Sequence, residues 1–417
     1  MRPTSDRPAD DEIWLRVTRE LADDLAVDAA ARDRAGRAPY DEAARLQEAG
    51  LPALLTAPGP HGPAGVWRTA CGVIRELSAA DGSVGELLAH HTVLSWTSRF
   101  LAQDTGPATP GSAADALDSR TVRGRWLLAG AVEPPRPDTG GPALTATPAG
   151  GGGYLLDGRR AFASGVAVAD RLVVGARCTE TGDLLLLLVD PAHPAVRAEA
   201  GAERVGQRLV GAGTVAFHQV PVPAADVLGA LPRDEHAIAP YATLAPLALR
   251  LLLVHVGLGI AEGALAEARD ISRARQAGPG PGAELPAGDP YLLLAYGELA
   301  TAAHTAATVV ERATEALAHG LAAGRLLGVE ERADIAVLVA AAETVAHRAA
   351  LDITTRILQL VDPATETGAE PRLQGPGFDR FWRDVRALTA SVAPDHRLRD
   401  IGDHYLNGSH ARLTLLV

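Results

Sequence analysis

Residues 154–170 read YLLDGRRAFASGVAVAD, and the fold is read outward from them. Tyr154–Leu156 is a short apolar run, Asp157-Gly158 carries the signal of a type I′ turn, and Arg159–Phe162 begins a return strand. The spacing predicts a β-hairpin that breaks into Ala163-Ser164-Gly165, a corner of small residues where a backbone can approach a ligand closely. One hydroxyl, that of Ser164, stands where the strand ends. A lone loop serine is more often a turn residue than a catalyst, so the pattern alone leaves both roles open.

On either side lie further short strands. Trp126–Val132 and Ala143–Thr147 precede the stretch, separated by a Pro/Gly-rich insert at 134–141. Arg171–Arg177, Leu184–Val189, Thr214–Phe217 and Val220–Val222 follow it. Short strands between turn residues predict a β domain over 121–235. Before it, residues 1–120 read as helices: 10–37, 41–49, 67–80, and one capped by Ser83 that runs to about Leu101. The last carries Glu86, His90, His91, Trp96 and Arg99. After it, 236–417 returns to long alanine-rich helices at 242–275, 290–319 and 330–359, with shorter ones at 378–388 and 394–406, which suits a helical bundle. The class is therefore α+β.

With 47% hydrophobic and 22% charged residues over 417, the chain reads as globular. A formal charge of −12 without a basic tract argues against nucleic acid or an anionic membrane as partner. No apolar run reads as membrane-spanning and the first eleven residues do not resemble a signal peptide, so a cytoplasmic location is expected. Cys71 and Cys178 are the only cysteines, too few for a disulfide framework or a cysteine metal site. His396, His404 and His410 form no recognisable ligand set, so no metal is expected. All 39 basic residues are arginine. Schiff-base chemistry, a lysine base and a P-loop lysine are thereby excluded. Gly278, Gly280 and Gly282 alternate with prolines and read as a link rather than a phosphate cradle.

Seven segments carry a family resemblance: 79–91 (AADGSVGELLAHH), the stretch at 154–170, 206–222, 257–270, 289–299, 378–386 and 401–408. In this order they resemble the acyl-CoA dehydrogenase superfamily, in its flavin-dependent, dibenzothiophene-type monooxygenase branch. The resemblance implies an N-terminal helical domain, a central β-barrel or sandwich domain and a C-terminal helical bundle, assembled as homodimers or homotetramers. It also implies a cleft in which reduced flavin (FMN or FAD, delivered by a partner flavin reductase) lies against an apolar substrate. By position it places His91 and Ser164 as the catalytic candidates, with Gly130, Trp96, Ser391 and Val210 lining the substrate pocket.

Several positions depart from the family pattern. A pocket histidine expected from the resemblance falls near Ser391, where none is present, and no glutamate occurs from Arg386 to Val417 to serve as a dehydrogenase base. A flavin-binding asparagine falls on Gly130 or a neighbour, hydroxyl residues on Val210 and Ala212, and a phosphate-binding Arg-Pro pair on Ala277-Gly278. Arg273, Arg275, Arg372 and Arg380 are the candidates to hold a flavin phosphate, which needs fixed donors; Arg383 also survives in the family segment. Arg273 and Arg275 read equally as the solvated end of a helix. Glu86, Glu133 and Asp395 read as surface or ion-pair residues. This clustered loss favours a redox-neutral cyclase requiring no cofactor, which would orient a largely apolar, polyketide-like substrate in the former flavin cleft. The flavin-dependent monooxygenase is the alternative, and a non-catalytic binding protein the third reading.

Overall fold

A computed structural model describes residues 10–54, 62–101, 113–132, 144–201, 203–234, 237–276, 289–361, 377–390 and 394–408. Its N-terminal helices are α1 (Asp10–Ala35), α2 (Tyr40–Glu48), α3 (Gly62–Ala80), α4 (Gly82–Ser95), α5 (Thr97–Leu101) and α6 (Ala113–Gly124). Eight strands follow: β1 (Leu128–Ala131), β2 (Thr145–Pro148), β3 (Tyr154–Phe162), β4 (Arg171–Cys178), β5 (Leu184–Val189), β6 (Val196–Ala200), β7 (Gly213–Val222) and β8 (Val227–Leu231). The chain then forms α7 (Leu244–Gln276), α8 (Pro290–Ala323), α9 (Val329–Val361), α10 (Arg380–Thr389) and α11 (Pro394–Asn407). Helices, a central sheet and a helical bundle thus occur in the expected order.

The stretch at 154–170 is organised differently from its sequence reading. Residues 154–162 form one continuous strand, not a hairpin. On β7, His218 and Gln219 stand against the single residue Asp157, between the pairs Leu156↔Val220 and Gly158↔Phe217. Gln219 takes the left-handed conformation (φ 53°), and its N–H donates to Asp157 Oδ1 at 3.1 Å. The Asp-Gly pair therefore faces a bulge in the neighbouring strand instead of making a turn. The reversal into β3 belongs to the glycine loop before it, where Gly151 and Gly152 have φ 75° and 77° and Pro148 pairs with Tyr154. The predicted strands at 214–217 and 220–222 are likewise one strand, β7, broken only by this bulge.

The sheet runs β6-β7-β3-β2-β4-β5-β8, with β1 parallel to β4. Its two faces have separate cores. Leu156, Phe162, Val174, Leu187 and Phe217 pack within the β domain, while Leu128, Val173, Leu184, Leu186 and Leu188 meet Leu94, Leu101 and Leu117 of the helices. Burial on both faces explains why β5 is an unbroken apolar run, LLLLLV, instead of an alternating one.

Helix α4 is capped by Asp81, not Ser83. The Asp81 carboxylate accepts the N–H groups of Ser83 and Val84 at 3.0 and 3.2 Å and takes Arg32 Nη1 at 2.8 Å. The expected single helix to Leu101 breaks at Trp96, giving α4 and α5. Helix α7 lies between α3, α4, α8 and α9. Gly259 and Gly263 let it approach closely: a Cβ on either would stand 2.3 or 2.0 Å from the Arg75 or Ala79 carbonyl oxygen of α3. Contrary to the sequence reading, α7 is long and apolar enough to cross a membrane, but 72% of that window is buried inside the protein. Its hydropathy is that of a central core helix.

Candidate functional site

Where the helix-facing side of the sheet meets α4, α5 and the start of α7, an apolar cleft encloses about 590 Å³, part of it open to solvent. Val93, Leu94 and Phe100 form the helical wall, Leu184 and Leu186 the sheet, and Ala245 and Leu249 the α7 side. Thr97 alone among the lining residues has a polar side chain. The even residues of β5 face the cleft, while Ala129 of β1 and the odd residues of β5 (Leu185, Leu187, Val189) point the other way, into the core of the β domain.

Gly130 stands on β1 opposite Val173, at the edge of this cleft. A Cβ there would meet Leu94 Cδ2 at 2.3 Å and the Val173 carbonyl at 3.0 Å. The position at which the resemblance expects an asparagine is thus occupied from across the cleft by a leucine. Trp96 sits at the α4–α5 break, buried, 6.1 Å from the Phe100 ring and with the Arg99 guanidinium 5.2 Å from its own ring centre. It braces Phe100 from behind and is not itself among the lining residues. Tyr241 contacts the same Phe100 at 5.7 Å.

Ser164 is 2% exposed and no hydrogen bond from its hydroxyl occurs among the described residues. Its neighbour Gly165 has φ 78°, and a Cβ there would lie 2.9 Å from Ala129 and 3.3 Å from Leu87. The corner is held by Gly165 N–H to the Val210 carbonyl at 2.8 Å and Val166 N–H to the Gly211 carbonyl at 2.9 Å. Val210 itself is buried and acts through this carbonyl, so it supports the corner instead of lining the cleft.

His91 departs most from expectation. Its Nδ1 accepts the Leu128 N–H at 3.0 Å, so its Nε2 carries the proton, which it donates to the Pro52 carbonyl at 2.7 Å. Burial pushes the imidazole down to about 4, against the smaller opposing effect of the Pro52 bond. A neutral ring with both nitrogens used joins the 51–53 turn to β1. In this arrangement neither ring nitrogen of the catalytic candidate His91 is free to meet a substrate.

The phosphate candidates separate in the same way. Arg380 is not free for an anion: it pairs with Glu267 at 2.6 Å, donates to the Gly377 carbonyl and lies 4.0 Å from the centre of the Phe381 ring. Arg383 is bound to Asp33, Asp379 and the Val205 carbonyl. Arg273 is exposed at the end of α7, without a carboxylate partner among the described residues. Arg372, Ser391, Glu133, His410 and the glycines at 278–282 lie outside the described residues, as does the Arg275 side chain. No group of three or more metal-ligating side chains occurs among the described residues.

Sequence reasoning missed two things. The lining residues of the cleft are ordinary aliphatic positions that only the packing distinguishes. Glu86, read as a surface or ion-pair residue, is 5% exposed, and burial lifts its carboxyl to about 7. The signal available was position: one face of α4 carries Gly82, Ser83, Glu86 and His90, a polar stripe on an otherwise apolar helix.

Comparison with known proteins places this arrangement. The family model for the acyl-CoA dehydrogenase C-terminal domain matches residues 251–394. Dibenzothiophene monooxygenase of Rhodococcus qingshengii is 30% identical over 414 residues, covering 97% of this chain and 95% of that protein. The Pseudomonas putida protein named "Probable FMNH2-dependent monooxygenase SfnC" is 29% identical over 409 residues, covering 97% and 96%. Among solved structures, the FMN-bound TdsC of Paenibacillus sp. A11-2, a dibenzothiophene monooxygenase, superposes with a TM-score of 0.84 at 29% identity, covering 97% of this chain and 100% of the other. The same enzyme has been solved with FMN and indole together.

Proposed function

Because the chain belongs to the acyl-CoA dehydrogenase superfamily, in the branch of the dibenzothiophene monooxygenases, we propose that it is a flavin-dependent monooxygenase acting on a small, largely apolar molecule. The observation that carries this reading is the apolar cleft between sheet and helices, whose lining offers one polar side chain. An isoalloxazine ring and an apolar substrate both need such walls. Arg273 would not hold the anionic tail of a flavin bound there, because it lies at the opposite end of α7 from Leu249, about 36 Å along the helix at 1.5 Å per residue. Bound reduced flavin supplies two electrons, which with dioxygen place one oxygen atom on the substrate and reduce the other to water. The protein's own part is steric and dielectric. Leu94, Phe100, Leu186 and Leu249 exclude water, Thr97 offers one hydrogen bond, and the Ser164 corner brings backbone and a hydroxyl to the strand end.

A partner flavin reductase is the expected source of electrons. A homodimer or homotetramer is supported by large apolar side chains left exposed on α8 (Tyr291 83%, Leu294 61%) and α11 (Tyr405 88%). The deciding experiment is anaerobic titration with reduced FMN, then admission of oxygen with candidate apolar substrates. Saturable binding and a product heavier by one oxygen are expected.

One observation favours a second reading. The polar contacts that would fix a flavin are absent at Gly130 and internally consumed at Arg380, while the apolar cleft remains. A redox-neutral cyclase needs only that cleft, since orientation of a bound chain supplies much of a ring closure. No flavin binding, together with a product of unchanged mass, would overturn the monooxygenase in its favour.

A further inference from the structure

Helix α4 turns a polar stripe toward the 163–165 corner and the 204–210 segment. At its start, Ser83 Oγ accepts the Leu209 N–H at 3.4 Å, and the Gln207 amide lies 3.2 Å from where a Gly82 Cβ would be. One turn on, Leu87 contacts Gly165 across the position of its missing side chain. Between these contacts stands Glu86, with His90 Nε2 4.0 Å from its Oε1. That distance is too long for a hydrogen bond, though it suits one bridging water. Across the gap Arg204 donates to the Ala163 carbonyl at 3.3 Å, so the same cation that acts on Glu86 is tied to the corner beside Ser164.

Glu86 Oε2 is buried without a hydrogen-bond partner, as are both amide atoms of Gln207. Buried polar atoms are almost always satisfied, and a group of orphans along one seam marks a place where a proton, water or ligand atom is bound. The described charged or titratable groups acting on Glu86 are His90 on its own helix and Arg204 opposite.

We propose that Glu86 is a proton-binding site at the 163–165 corner: a carboxyl that exchanges one proton with the space beside Ser164–Gly165, with Arg204 opposite it. This goes beyond the functional reading and rests on neither version of it. The balance is simple. The carboxyl takes one proton from solvent or gives one to an acceptor at the corner, and no electrons move. Burial lifts Glu86 to about 7, while Arg204 pulls it down; burial and Arg204 together hold His90 at about 4, so His90 is neutral throughout. Glu86 therefore supplies the titratable proton of the pair near neutral pH.

The test uses the full-length protein without ligand. Infrared difference spectra between pH 5.5 and 8.5 should show a buried carboxylic acid band that is lost on raising the pH. The Glu86→Gln variant, which preserves shape, should lack it, while Asp384→Asn removes any separate band from Asp384, another buried acid, which burial lifts to about 8. Arg204→Gln should move the Glu86 titration to higher pH, because removing a neighbouring cation disfavours the carboxylate. A band that persists in Glu86→Gln, or a wild-type Glu86 that titrates in the ordinary carboxylate range, overturns the proposal. So does an Arg204→Gln variant with an unmoved titration. Retained far-ultraviolet dichroism and thermal midpoint in the variants separate these outcomes from misfolding.

Discussion

Replacing His91 separates its two conceivable roles. The His91→Leu side chain fills a similar space but leaves the Leu128 N–H and the Pro52 carbonyl, both now bonded to the ring, buried without partners. Each orphaned group costs about 1–3 kcal/mol, so a loss of roughly 2–6 kcal/mol is expected at pH 7.5. His91→Gln, with one donor and one acceptor, should recover part of it. The wild type also carries a pH signature. Its native imidazole is held at about 4 against 6.5 for a free one, so the unfolded chain binds the proton more readily. Stability is then fully present above 6.5 and is lost as the pH falls from about 6.5 toward 4. At about 1.4 kcal/mol per unit, that difference is worth on the order of 3 kcal/mol. Urea unfolding at pH 7.5 and 5 in wild type and both variants is the assay, and the loss on acidification should be smaller in both variants. If His91→Leu unfolds at the wild-type midpoint while turnover disappears, the structural assignment is refuted and the ring belongs to the chemistry.

Other substitutions probe the neighbouring positions. Burial, reinforced by Asp81 and Asp33 against the Gln207 N–H and Arg383, lifts Asp384 to about 8. The native state thus prefers the protonated acid, and stability falls as the pH rises from 3.8 through about 8. Asp384→Asn keeps an acceptor for Gln207, so its urea midpoint should fall less than that of the wild type between pH 7 and 9. Gly165→Ala must hold φ near 78° with its Cβ 2.9 Å from Ala129; a loss of about 1–3 kcal/mol is expected, read as a lowered thermal midpoint. Ala245→Phe should fill the cleft and weaken binding of an apolar fluorescent probe by at least about tenfold, or ~1.4 kcal/mol, without lowering the thermal midpoint. Unchanged probe affinity would move the binding site elsewhere.

The order of helices, strands and helices could be read from the chain because hydrophobic period and turn residues are local properties, and β5 and α7 stand out by composition alone. The 154–170 stretch shows where local reading ends. Asp157-Gly158 carries the chemistry of a turn, yet β7 pairs across it and turns it into one side of a bulge; the partner strand lies some sixty residues away. His91 illustrates the same limit. Its type and family position suggest catalysis, while its role depends on Pro52 and Leu128, which only folding brings to either side of the ring. Arg380 likewise keeps its charge in the sequence but gives it to Glu267 in the structure. Residue identity and periodicity determined the architecture. The availability of each side chain for chemistry was decided by tertiary packing, because burial and partnership are set by residues distant along the chain.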